Sequence, residues 1–163
     1  MGPNIGDMRM ANKTNISVSV RNDHSKEVFA EISKKLDEAL VLCGARAERN
    51  AKINIENDPH RVDTGLLRNS ITYAMGGEKP AVTSYRGDNP SRYGGTEIPT
   101  GSYAGTAPNE PHSMYIGTNV SYAPYVHEGT QKMRANRFLR DAIQGHEKEY
   151  QAIINQVMKK RVN

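Results

Sequence analysis

With 163 residues, 36% of them hydrophobic, no Trp and only two Phe, the chain is long enough for one domain with a core and too short for two ordinary ones, and that core must be thin. Its 22 basic against 18 acidic residues give a net charge of +4, mixed along the chain until Lys159-Lys160-Arg161, which permits contact with DNA but does not require it. One cysteine excludes an intrachain disulfide, and no apolar run approaches the roughly 20 residues that cross a bilayer.

In chain order, residues 1–14 read as a flexible N-terminus. They lack the basic start and apolar core of a secretion signal, so synthesis in a reducing cytoplasm is expected. Ile16, Val18 and Val20 alternate with serines, the period of a strand with one buried face. Asn22, Asp23 and Ser25 supply turn and cap chemistry. From about Lys26 to Asn54, Phe29, Ile32, Leu36, Ala39, Leu40, Cys43, Ala47 and Ala51 recur at helical spacing, with charged residues between them. Cys43 reads as a small apolar residue of that stripe. Gly44, Ala45, Ala47 and Ala51 allow close approach by another element of the same chain. Asp58-Pro59 ends the helix.

Asp63-Thr64-Gly65 opens a short helical turn through Leu66, Leu67 and Arg68, with Asp63 or Thr64 as its cap, the leucines in the core and Arg68 solvated. Ile71–Met75 is a strand ended by Gly76-Gly77, and Ala81–Tyr85 is expected to return as its antiparallel hairpin partner. Residues 86–112 interleave glycines with Pro90, Pro99, Pro108 and Pro111, which excludes a long helix or a central strand. Loops beyond about 12–15 residues are usually functional or disordered. Arg86, Arg92, Tyr93 and Tyr103 within it suit an interface that orders on assembly, with plain disorder as the competing reading.

Ser113–Asn119 reads as the next strand, Met114 and Ile116 on one face and Tyr115 on the other. Tyr122–Thr130 gives a short helix, Pro124 near its start and Gly129 as the left-handed residue that ends it. Asn136 caps a closing helix whose stripe is Leu139, Ala142, Ile143, His146, Tyr150, Ile153, Ile154 and Val157. Residues 160–163 form a basic end. The pattern predicts a single α+β domain over 15–159: a small antiparallel sheet packed on one face by a long N-terminal helix and a C-terminal helix, with a long Gly/Pro-rich loop.

No constellation in the chain carries a reaction. His127-Glu128 invites comparison with helical zinc hydrolases, but those need a histidine where Gln131 stands, and the other histidines lack ligand spacing. His127 and Glu128 are instead expected to hydrogen-bond within their turn or to lie at a subunit contact. There is no phosphate-binding glycine loop and no strained Gly-x-Ser-x-Gly elbow, and Cys43 has no histidine near it in sequence. No catalytic, cofactor-binding or metal-binding residue is therefore assigned, and the chain is not expected to be an enzyme. A second class of function is nucleic-acid binding through Lys132, Arg134, Arg137 and Arg140 and the arginines and tyrosines of 86–112, against which stand the neighbouring Asp141, Glu147 and Glu149.

Three blocks stand out in order: Asp63-Thr64-Gly65-Leu66-Leu67-Arg68-Asn69-Ser70-Ile71; Ser121 to Thr130, containing Tyr122-Ala123-Pro124-Tyr125-Val126-His127-Glu128-Gly129-Thr130; and Phe138-Leu139-Arg140-Asp141-Ala142. Together they resemble the small minor tail-component family of long-tailed bacteriophages and prophages, whose members finish the tail or join it to the head. The resemblance spans roughly residues 16 to 158. One departure is Arg137, where that family usually has proline. The resemblance implies a structural virion protein of the tail or neck, assembled in the host bacterial cytoplasm. Its expected partners are other copies in a ring, a tail-tube or tail-terminator protein, head-side connector proteins, and DNA in the lumen, with no membrane. It implies structural roles for Asp63, Thr64, Gly65, Leu67, Arg68, Gly129, Thr130, Phe138 and Leu139. The candidate assembly interface is Arg86, Arg92, Tyr93, Tyr103, Tyr122, Tyr125, His127 and Glu128.

Overall fold

The computed structural model describes residues 23–58, 62–77, 82–104 and 107–160. The strand expected at Ile16–Val20 and the end of the basic tail lie outside them. The fold is α+β: α1 (Ser25–Glu56), α2 (Leu66–Ser70), β1 (Thr72–Met75), β2 (Val82–Arg86), β3 (Thr100–Ala104), β4 (Met114–Gly117), α3 (Ala123–Glu128), α4 (Phe138–Gln144) and α5 (Glu147–Lys159).

The long helix forms where the periodicity places it. At about 1.5 Å per residue, 32 residues reach about 48 Å, and Asp23 Oδ1 accepts the Ser25 N–H at 3.0 Å at its start. Its buried face is Ala39, Cys43, Gly44, Ala47, Asn50, Ala51 and Ile55. Full burial thus begins nearly halfway along, and the earlier stripe residues Phe29 and Ile32 are exposed. Small residues bring neighbours close: a Cβ on Gly44 would lie 2.5 Å from the Tyr73 ring and 2.6 Å from Met114 Sδ. Internal packing explains Gly44, Ala47 and Ala51, as expected, whereas Ala45 is exposed.

The strand pairing departs from expectation. β1 does not form a hairpin with β2. It pairs antiparallel with β4, in the register Thr72↔Gly117 to Met75↔Met114, and β2 pairs antiparallel with β3, Val82↔Ala104 to Arg86↔Thr100. In place of the expected single sheet, the described residues form two separate two-stranded sheets. Gly76-Gly77 is the reason the local signal misleads. Gly76 N donates to Ser113 O at 2.8 Å and Gly77 N to Pro108 O at 3.3 Å, and a side chain at Gly76 would overlap the Glu110 carbonyl oxygen. The pair marks close approach of two backbones rather than a hairpin turn. Nor is 86–112 a structureless loop, because β3 lies within it. A two-stranded sheet consists of edges, where flanking Pro99 and internal Gly101 are tolerated, and the Tyr85 ring lies against Gly101, its cross-strand partner.

The closing helix is also divided. Gly145, the poorest helix former after proline, ends α4, and His146 at φ −125° and ψ 19° redirects the chain into α5. That turn lets Tyr150 OH donate to Ala142 O at 2.6 Å while accepting from Asn50 Nδ2 of α1 at 3.3 Å. Asn136 does not cap α4. Its Nδ2 donates to Asn54 O at 3.3 Å, and Asn54 Nδ2 donates to Phe138 O at 3.1 Å, so two asparagines stitch α4 to α1. The core gathers Ala51 and Ile55 of α1, Leu67 of α2, Ile71, Val120, Ala123 of α3, and Phe138 and Ala142 of α4. Phe138 and Ile71 are its largest fully buried side chains, each worth about 1.5–3 kcal/mol of transfer free energy.

Candidate functional site

The Asp63–Ile71 block is a clamp. Gly65, with φ 76° and ψ −3°, occupies the position before α2, where a left-handed backbone favours glycine. The cap position is thus Gly65, not Asp63 or Thr64, and Thr64 Oγ1 only supports the turn by accepting the Leu66 N–H at 3.2 Å. Asp63 instead reaches across to the segment after β2: Oδ2 accepts from Ser91 Oγ at 2.5 Å, and Oδ1 from Arg92 N at 2.9 Å and Arg92 Nε at 3.2 Å. The bonds from Ser91 and from the Arg92 backbone hold its carboxyl below the ordinary carboxylate value.

Arg68, expected to be a solvated neighbour, is the hub of the clamp. Its guanidinium holds Glu56 Oε1 at the end of α1 at 2.9 Å, Asp88 Oδ2 after β2, and Asn69 Oδ1 at 3.0 Å. Asn69 Nδ2 donates in turn to Arg86 O at 2.7 Å and Asp88 Oδ1 at 3.0 Å. Asn69 stands in the first block but was given no role there, and Asp88 and Ser91 were not singled out from the sequence. The only signal for those two is that Asp88-Asn89-Pro90-Ser91 is rich in turn formers.

The expected interface residues fall into three places. Arg92 is tied to Asp63 and to Val62 O, with its guanidinium 5.9 Å from the centre of the Tyr93 ring. Tyr93 itself is 83% exposed. Arg86 is exposed and Tyr103 half-buried on the β2–β3 ribbon. Tyr122 lines a cavity of about 370 Å³ with Asp63, Thr64, Leu67, Arg68, Ser91 and Pro99, and burial pushes its hydroxyl up from the usual tyrosine value. Tyr125 and Glu128 are exposed on α3. His127 packs edge-on against Phe138, ring centres 5.1 Å apart at 79°, and its Nδ1 is buried without a hydrogen-bond partner. Its Nε2 lies 3.7 Å from Glu128 Oε1, and both residues line a second cavity of about 350 Å³ with Val120, Ala123, Phe138 and Leu139. The first cavity joins the first two sequence blocks, and the second joins the last two.

Gly129 ends α3 at φ 80° and ψ −179°. The sign of φ matches expectation, but ψ lies in an extended region that glycine alone occupies readily rather than in the left-handed helical one. Thr130 then forms an isolated bridge with Met133. Cys43 is 6% exposed, and burial raises its thiol pKa. His112 is held by Asp37 of α1 at 2.8 Å, far in sequence from His127. Among the described residues no three His, Cys, Asp or Glu side chains come together as metal ligands would, and no described helix is long and apolar enough to cross a membrane. No protein-family model, curated protein or solved structure matches the chain.

Proposed function

We propose that this protein is a structural component of a phage tail or neck, which completes the tail or joins it to the head by assembling onto the tail end as a ring. The observation that carries this reading is the convergence of the three resembling blocks. Leu67 and Ile71 of the first, Ala123 of the second and Phe138 and Ala142 of the third lie in one core cluster. Blocks far apart in sequence thus act as one packing unit, which supports reading them together as one motif. Exposed Tyr93, Tyr125 and Glu128 lie outside that core cluster and are the groups offered to a neighbour, since exposed aromatics are enriched where proteins meet. A contact between two different patches, repeated about an axis, closes into a ring. On this reading the protein is not an enzyme. It is made in the host cytoplasm and resides in the virion, beside tail-tube, terminator or connector proteins.

Light scattering after size exclusion, with the protein alone and mixed with candidate tail-tube protein, tests this. A ring, or a complex formed only with the tube, is the expected result. A monomer indifferent to tube and connector proteins alike overturns it.

A second reading has its own observation. Lys132, Arg134 and Arg137 are exposed on the approach to α4 and carry no carboxylate partner among the described residues. Unpaired basic groups on one segment suit a phosphate backbone. Retention on DNA that falls steeply with salt, and is lost when these three become glutamine, would favour it.

A further inference from the structure

We propose that the β2–β3 ribbon, residues 82–104, is a latched arm that detaches as a unit from the helical body when the ion pairs Asp63–Arg92 and Arg68–Asp88 are broken, leaving the body folded. The inference stands independently of the tail reading.

Three observations carry it. First, among the described residues no ladder joins the ribbon to β1–β4, since the two sheets are separate. Second, the buried core is drawn from α1, α2, α3, α4, Ile71 and Val120. Among the described side chains the ribbon contributes no buried hydrophobic member to this cluster and only the half-buried Tyr85 packed against it. Third, the attachments are polar and concentrated at two places. At one, the first block grips the segment that joins the two strands: Asp63 holds Ser91 and Arg92, Arg68 and Asn69 hold Asp88, and Thr64 O accepts the Asp88 N–H at 2.6 Å. At the other, Tyr85 OH donates to Asn119 Oδ1 at 2.6 Å, and Asn119 Nδ2 donates to Ser102 O at 2.7 Å.

Such fastenings differ in kind from core packing. Water and salt compete with charges that are 23–51% exposed, whereas nothing replaces the contacts of a fully buried Phe138. Regions held by few apolar contacts open sub-globally while the rest stays closed. Opening would bare Leu66 and Leu67 around the first cavity. The latch residues are therefore positioning residues that act on the ribbon's equilibrium.

Hydrogen exchange by mass spectrometry on the full chain tests the proposal, comparing wild type in low salt, wild type in 1 M NaCl, and the double variant Asp63→Asn/Arg68→Gln. At 1 M the screening length falls to about 3 Å, so salt should speed exchange across β2 and β3 while the Ala39–Ile55 face of α1 is unchanged. The double variant should speed ribbon exchange by roughly tenfold or more, as expected for loss of two exposed pairs with their charged hydrogen bonds. Arg92→Gln, which removes the ion pair but keeps the Ser91 and Arg92 backbone bonds to Asp63, should speed ribbon exchange less than the double variant and blunt its response to salt. Exchange of ribbon and α1 in one common step, or ribbon protection unmoved by both salt and the double variant, overturns the proposal. If the double variant does not fold, the wild-type salt comparison decides alone.

Discussion

Replacing Gly129 by alanine separates two physical effects at the end of α3. The dihedral pair φ 80°, ψ −179° is open to glycine and costs an L-residue about 1–3 kcal/mol. A Cβ there would also sit 2.6 Å from Ala135 N and 2.7 Å from Met133 O. Both are backbone atoms, and Met133 O already accepts the Thr130 N–H at 2.7 Å, so neither can swing aside as a side-chain tip would. Moving that turn adds about 1–3 kcal/mol, for a total of about 2–6 kcal/mol. Gly77 is the control: its φ is also 80°, but a Cβ there meets nothing within 4 Å, leaving only the dihedral cost of about 1–2 kcal/mol. Urea unfolding followed by far-UV circular dichroism, with equal slopes for both variants, measures the two losses directly. Gly129→Ala must lose more than Gly77→Ala by at least about 1 kcal/mol. Equal losses would mean that the 130–135 turn yields freely, and would refute the account of this glycine as packed as well as twisted.

Phe138→Ala should lower stability by about 3–5 kcal/mol, since Phe138 is 0% exposed, whereas half-buried Leu139→Ala should lose less; thermal melts rank the two. Tyr150→Phe removes the hydroxyl that bonds Ala142 O and leaves buried Asn50 short of a partner, a loss of about 1–3 kcal/mol readable by the same melts. Asp63 has a lowered folded pKa, so its contribution is full above the ordinary carboxylate value near about 4 and is lost as pH falls through the depressed folded value. Near it the charges are Arg92, and through the clamp Arg68 and Asp88. Asp63→Asn should therefore start from lower stability and show a shallower acid limb than wild type in unfolding titrated from pH 6 to 2. Native Cys43, buried and with its thiol pKa raised, should react with a disulfide reagent far more slowly than the unfolded chain, and immediate native-state labelling would contradict that burial.

What the sequence made legible was what neighbours in sequence decide. The stripe from Ala39 to Ala51, the turn at Leu66–Arg68, the faces of Met114, Tyr115 and Ile116, and the α+β class all follow from local period and cap chemistry. The first turns of α1 mislead because Phe29 and Ile32 keep the period yet stay exposed, with no surface to meet among the described residues. Strand pairing was illegible for a different reason. Gly76-Gly77 has the composition of a tight turn, yet serves to admit the backbone at Glu110, and nothing local distinguishes the two uses. β3, Thr100-Gly101-Ser102-Tyr103-Ala104, hides because small residues and a preceding proline look like loop, although an edge strand accepts both. At the candidate site, the Asp63–Arg68 block could be recognised as a motif, but its partners Asp88 and Ser91 are about 20–28 residues away, and such ion pairs emerge only from the fold.

The nested pairing also sets an order of events for the chain as it folds. Met75 and Met114, which close the β1–β4 ladder, are separated by about 40 residues, and the whole β2–β3 ribbon lies between them. If the ribbon zips first, it removes most of that span from the wandering chain and leaves an effective loop of about 16 residues, which lowers the entropy of closure by about 0.8 kcal/mol, or about fourfold in rate. A shortened ribbon should then still permit rapid closure, whereas a ribbon kept from pairing by a mid-strand proline should slow the whole domain.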